Sequence, residues 1–133
     1  MRLKSLAYTS LARPDLGPGD IRAIHQTARH LNALDGVTGL LIYNGCQFLQ
    51  VIEGAESAID DLLQRLLADP RHSGLTVEDQ RFIEDREFRD WAMELVQISV
   101  SDQQTRKDLA DLLPTTLPEI VRVKVAAMAA AGS

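Results

Sequence analysis

Disulfides are excluded at the outset, because Cys46 is the only cysteine in a chain of 133 residues; that usage fits a reducing compartment. Long hydrophobic runs are missing too. The longest, LLIY at 40–43 and VAAMAAA at 125–131, fall far short of a membrane span. The opening MRLKSLAYTS alternates like a strand and has neither the apolar core nor the cleavage site of a signal peptide. Basic charge is in deficit: 14 Lys and Arg against 19 Asp and Glu leave a net charge of −5, and no basic stripe is present to neutralise phosphates. Direct nucleic-acid binding is therefore not expected, nor a membrane association. His25 and His30, five apart on a helix, cannot share a face as metal ligands, and no carboxylate pair suggests hydrolysis. What remains is an ordinary mixture, 45% hydrophobic and 25% charged, of the size of one cytoplasmic globular domain whose partners are proteins or small molecules.

The chain divides by its patterning. LKSLAYT (3–9) reads as a first strand, and the Pro- and Gly-rich ARPDLGPGD (12–20) breaks it. From Asp20, Ile21, Ile24, Ala28 and Leu31 recur at helical spacing, and the helix is expected to end near residues 32–34, before Gly36. VTGLLIY and CQFLQVIEG flank Asn44-Gly45, a strong hairpin signal. Ile59, Leu62, Leu63, Leu66 and Leu67 form a second helical stripe ahead of Asp69-Pro70. LTVEDQRFI (75–83) and AMELVQIS (92–99) are further strands, joined by a charged link. The order predicts an α+β class: a ferredoxin-like β-α-β-β-α-β sheet with a fifth strand and both helices on one face. Residues 101–133 form a helical extension to a domain spanning 1–100, with two short helices separated by Pro114 and Pro118 and an Ala-rich end that caps the sheet or meets a partner.

One residue in the third strand is out of place. Alternation puts Cys46, Phe48, Gln50 and Ile52 on one face, with Cys46 read as packing. An unpaired buried amide costs roughly 2–7 kcal/mol, so Gln50 needs a partner. In the split plan the first and third strands are neighbours, and Leu6 and Tyr8 share a face, which makes the Tyr8 hydroxyl a candidate. A Tyr-Gln hydrogen bond alone is compatible with a purely structural role. Yet Asn32 at the end of the first helix, and Asp69, Arg71 and His72 after the second, converge on the same groove. Ile24 and Leu66 form its walls and Phe48 its floor. Flat apolar walls rimmed by donors and acceptors suit a planar heterocycle bearing carbonyl and N–H groups, and an amide both donates and accepts.

At these residues the chain resembles a known family. AYTSLA (7–12), ARHLNALDGVTGLLIYNGCQFLQVIEG (28–54), DPRH (69–72) and REFRDWAM (86–93) are similar, in order and spacing, to the BLUF domains, sensors of blue light using FAD. The resemblance covers roughly 3–100 and suggests the short, stand-alone type. It implies an FAD whose isoalloxazine ring sits between the two helices, with FMN or riboflavin as substitutes. It further implies Tyr8 as electron and proton donor, Gln50 as the bridge between that tyrosine and the flavin edge, and Asn32, Asp69 and Arg71 around the ring carbonyls and N3–H. His72 matches the DxRH histidine, and Ile24 and Leu66 the ring-sandwiching positions. Leu31 departs from members that carry a second polar residue there.

Trp91 and Met93 match the family's output pair, W-x-M; the residue alone reads as core packing, and with the match the two readings of Trp91 stand level, while Met93 is adaptable enough for a movable contact. The resemblance implies a photoreceptor, not an enzyme, that passes a redshifted state to an unidentified protein partner or acts through a homo-oligomer. The alternative is a light-insensitive flavin-binding or assembly module of the same fold. A flavin-dependent enzyme is disfavoured, because no substrate base or nucleophile is evident.

Overall fold

A computed structural model describes residues 2–34, 36–70, 72–88, 92–97, 113 and 117–131. Strand β1 (Leu3–Ala12) leads into helix α1 (Pro18–Leu34); the hairpin β2 (Thr38–Tyr43) and β3 (Gln47–Ala55) leads into α2 (Glu56–Leu67); β4 (His72–Ile83), β5 (Ala92–Gln97) and helix α3 (Glu119–Ala131) follow. The sheet order is β4-β1-β3-β2-β5. β1 is antiparallel to both β3 and β4, β2 is antiparallel to β3, and β5 lies parallel to β2. This is the expected split plan with its fifth strand.

The element ends differ from the sequence expectation for local reasons. Helix α1 begins at Pro18 rather than Asp20, since proline lacks the N–H that a first helical position cannot use anyway. The Asp20 carboxylate accepts the Gly17 N–H at 2.8 Å, closing the first turn. The β2–β3 connection holds three residues, 44–46, not two. Asn44 organises it: its Oδ1 accepts the N–H of Cys46 at 3.1 Å and of Gln47 at 2.8 Å. Cys46 consequently lies exposed in the turn, not on the sheet face. The first helix expected after residue 100 lies outside the described residues; the second is α3.

Alternation sorts the sheet's side chains into two cores. On the helix side, Leu6, Leu41, Phe48, Ile52 and Met93 meet Ile21 of α1 and Ile59 and Leu62 of α2. On the other face, Ala7, Leu40, Ile42, Leu49 and Val51 pack with Phe88 and with Val121, Val125 and Met128 of α3. Helix α3 therefore closes the far face. It is tied down by the Asn44 Nδ2 donating to the Met128 carbonyl at 3.2 Å and by Lys124, 3.7 Å from Glu78.

One glycine sets how closely the central strands approach. At Gly39 (φ 156°) an added Cβ would stand 1.9 Å from the Val51 carbonyl oxygen. At the same position the β2–β5 register slips: Gly39 faces Ala92, but Leu40 faces Glu94. Met93 is the residue left over.

Candidate functional site

Tyr8 and Gln50 stand directly opposite one another in the β1–β3 ladder. Both are 3% exposed, and the Tyr8 hydroxyl donates to Gln50 Oε1 at 2.5 Å. Burial raises the Tyr8 phenol above its ordinary range, and the nearby Asp69 carboxylate adds to the effect. Tyr8 is thus held as a neutral hydroxyl, a donor whose proton stays in place at physiological pH. Asp69 is itself held in the turn after α2, where its N–H reaches the Leu66 carbonyl at 3.2 Å.

The amide's other end turns to β5. Gln50 Nε2 donates to Met93 Sδ at 3.1 Å, and Met93 is 0% exposed. Met93 has φ 67°, an uncommon backbone state for a side chain of this size. Its carbonyl lies 2.7 Å from His25 Nε2. His25 is half-buried and bonded across to β5, while His30 is exposed.

Around this pair the helix-side core is apolar and divided. Helix α1 lies over β2 and β5, and α2 over β3 and β1. Ile24 and Ala28 from α1, and Leu63 and Leu66 from α2, are half-buried against the same core. Phe48 lies beneath, with its ring centroid 4.9 Å from that of Tyr43. Tyr8, Ile24, Phe48, Gln50 and Leu66 are therefore gathered on one face, as the sequence predicts, and Met93 joins them there. Asn32 lies in the last turn of α1 and His72 opens β4, but their side chains are outside the described residues, as are Arg71 and Trp91 altogether. Among the described residues no cluster of metal-binding side chains occurs, and no helix is long and apolar enough to cross a membrane.

A flavin ring fits what is present. Gln50 carries two amide N–H groups, and among the described residues only the weak thioether acceptor of Met93 engages one of them. A buried amide with hydrogen-bonding capacity left over, bordered by apolar side chains from two helices, matches a flat ring that presents its own carbonyls and nitrogens.

A second buried polar side chain on β3 escaped the sequence reading. Glu53, 0% exposed, points to the far face. Its Oε2 accepts the Glu87 N–H and its Oε1 the Phe88 N–H, each at 2.7 Å. Arg86 joins the same junction, donating to the Glu53 carbonyl and to Thr38 Oγ1, each at 3.0 Å. Burial raises the Glu53 carboxyl, against the lowering effect of those two backbone donors. The signal that singles out Gln50, a polar side chain on an apolar face of β3, singles out Glu53 equally.

The family model described as "sensors of blue-light using FAD" matches residues 3–94. The chain belongs to the BLUF family. It is 32% identical over 92 residues to the photoactivated adenylate cyclase subunit beta of Euglena gracilis, an alignment that covers 68% of this chain but 11% of the relative. Among solved structures it is similar to BlrB, a BLUF protein in its dark state, at 36% identity and a TM-score of 0.73, covering 98% of this chain and 91% of that one. It also resembles Klebsiella pneumoniae BlrP1 with FMN and cyclic diGMP, at 29% identity and a TM-score of 0.79, over 98% of this chain and 35% of that one. BLUF membership makes residues 3–94 a sensor domain for blue light that uses FAD.

Proposed function

We propose that this BLUF chain is a blue-light photoreceptor in which Tyr8 and Gln50 form the photoactive pair. The Tyr8 hydroxyl on Gln50 Oε1 at 2.5 Å, in a buried site, is the observation that carries the reading. When bound, the flavin absorbs blue light and draws an electron and a proton from a nearby donor. Tyr8 is suited to give both, because its phenol is kept neutral and its O–H already points into a relay. As the electron and proton return, Tyr8 is restored and nothing is consumed. Gln50 keeps the record of the event: exchanging its donor and acceptor ends, by rotation or tautomerisation, reverses the bonding pattern in nearly the same volume. In its exchanged arrangement Gln50 would offer the ring's C4 carbonyl a stronger hydrogen bond, which would move the absorption to the red.

In this reading Asn32, Asp69 and Arg71 would hold the ring's carbonyl and N3–H edge, Ile24 and Leu66 would flank it and Phe48 underlie it, with His72, the DxRH histidine, as a further cofactor contact. FAD is the family's cofactor, and FMN or riboflavin would satisfy the same ring contacts. Residues 1–100 act as the sensory domain and 101–133 as its helical extension. Trp91 and Met93 carry the state of Gln50 outward to a protein partner or a second copy of the chain. Relatives such as the photoactivated cyclase support an effector as that partner.

The test is the absorption spectrum of the flavin-loaded protein, taken in the dark and during blue illumination. The wild type is expected to shift reversibly to the red without bleaching. Tyr8→Phe is expected to retain flavin and lose the shift; an unchanged photocycle in that variant removes Tyr8 from the mechanism. A wild type that binds flavin without shifting would be a light-insensitive module.

A further inference from the structure

We propose that His25 is a positioning residue for the amide switch, holding Met93 where its thioether selects one orientation of Gln50. The proposal rests on the photosensor reading above. A carbonyl oxygen only accepts, so the 2.7 Å approach of His25 Nε2 to the Met93 carbonyl makes Nε2 the protonated ring nitrogen. That carbonyl belongs to the residue the β2–β5 ladder skips. A ring N–H from α1 reaches it, and Met93, which has no facing residue in β2, keeps its left-handed backbone. In that posture Met93 presents Sδ to Gln50 Nε2 at 3.1 Å.

A thioether has lone pairs and no proton. It accepts from the amide's N end and repels its O end, so Met93 favours the arrangement with Oε1 turned to Tyr8. The result is one continuous path: the His25 N–H to the Met93 carbonyl, Gln50 Nε2 to Met93 Sδ, and the Tyr8 hydroxyl to Gln50 Oε1. Any signalling state in which the N end leaves Met93 gives up the middle link. Met93, while held by His25, is therefore a restoring contact for the dark state, and freeing it prolongs the signalling state. His25 lies next to Ile24 in the chain but acts on β5, on the opposite side of the amide from Tyr8.

Two substitutions separate the N–H from the ring's bulk. His25→Phe keeps a flat ring and removes the donor; His25→Gln keeps a donor of similar reach. In the flavin-loaded full chain, His25→Phe is expected to shift to the red under blue light and return in the dark at least about threefold more slowly than wild type, while His25→Gln stays within about twofold. Recovery of His25→Phe at the wild-type rate, or equal slowing in both variants, overturns the proposal. If the wild type shows no light-induced shift, the photosensor reading fails, and the placement is decided by the Met93 methyl resonance in the dark. His25→Phe should move that resonance and His25→Gln should restore it; no movement overturns the placement. Should His25→Phe not fold, nitrogen NMR of the wild-type imidazole decides: a protonated Nε2 is expected, and an unprotonated Nε2 overturns the proposal.

Discussion

Gln50 and Glu53 sit three residues apart on one strand, equally buried and facing opposite sides of the sheet. Glu53 is fully occupied: each carboxylate oxygen takes a backbone N–H from the β4–β5 link. Gln50 is not, because its amide nitrogen meets only a thioether among the described residues. Burial alone does not distinguish a structural polar group from a functional one, since unmet hydrogen-bonding capacity in the dark interior is what a ligand can use. The far face is closed by α3 and its polar groups are committed. The helix face is divided between α1 and α2 and retains a polar pair whose amide has hydrogen-bonding capacity left over.

The largest expected effect removes the basis of the comparison on both faces at once. Gly39→Ala places a Cβ against the Val51 carbonyl, a backbone atom that can move only with β3 itself. Since β3 carries both Gln50 and Glu53, the clash disturbs the two cores together. Unfolding in denaturant should show a loss of about 3 kcal/mol or more. A near-wild-type midpoint would mean that β2 and β3 separate easily, contrary to the tight pairing described.

Glu53→Gln tests the committed side. An amide supplies one acceptor where the carboxyl supplies two, so one of the Glu87 and Phe88 N–H groups would face an NH2 group. A loss of about 1–3 kcal/mol is expected. The pH dependence adds a sign. Glu53 has its folded-state pKa raised by burial, so the folded protein binds the proton more tightly than the unfolded chain, and this contribution to stability falls as pH rises from the usual carboxylate range to the raised value. A protonated carboxyl still offers lone pairs on both oxygens. The advantage of wild type over Glu53→Gln should thus be greatest at low pH and shrink through that window. An advantage that grows with pH would place the folded pKa below the ordinary value.

Much of this contrast is legible before any coordinates. Period-two alternation places Leu6, Tyr8, Phe48, Gln50 and Ile52 on one face, and the hairpin and two helical stripes determine which face the helices cover. Local patterns do not carry the rest. Cys46 continues the alternation on paper, but the Asn44 side chain captures two backbone N–H groups and pulls the turn out to three residues. The partners of Glu53 lie 34 and 35 residues away in the chain, and those of His25 lie 68 away. The second pairing depends on a one-residue slip between β2 and β5, which no propensity encodes. A polar residue on an apolar face of β3 is legible at both positions, but alternation alone does not tell which of the two has its bonds met by distant backbone groups.

The uncommitted side should behave in the opposite way, with the smallest effect on stability and the whole effect on signalling. Gln50→Leu keeps the volume of the side chain and replaces a poorly bonded amide by an apolar group suited to its Phe48 and Ile52 neighbours. The Tyr8 hydroxyl loses an acceptor, which costs about 1 kcal/mol, and removal of a partly unsatisfied amide offsets it, so net stability should change by no more than about 1 kcal/mol. The same variant should bind flavin and show no redshift, because leucine has no donor and acceptor ends to exchange. Denaturation and dark-minus-light absorption on one preparation measure both quantities. A large destabilisation would make Gln50 a structural partner of Tyr8 after the manner of Glu53. A preserved redshift would instead move the switch to another residue and erase the difference between the two faces.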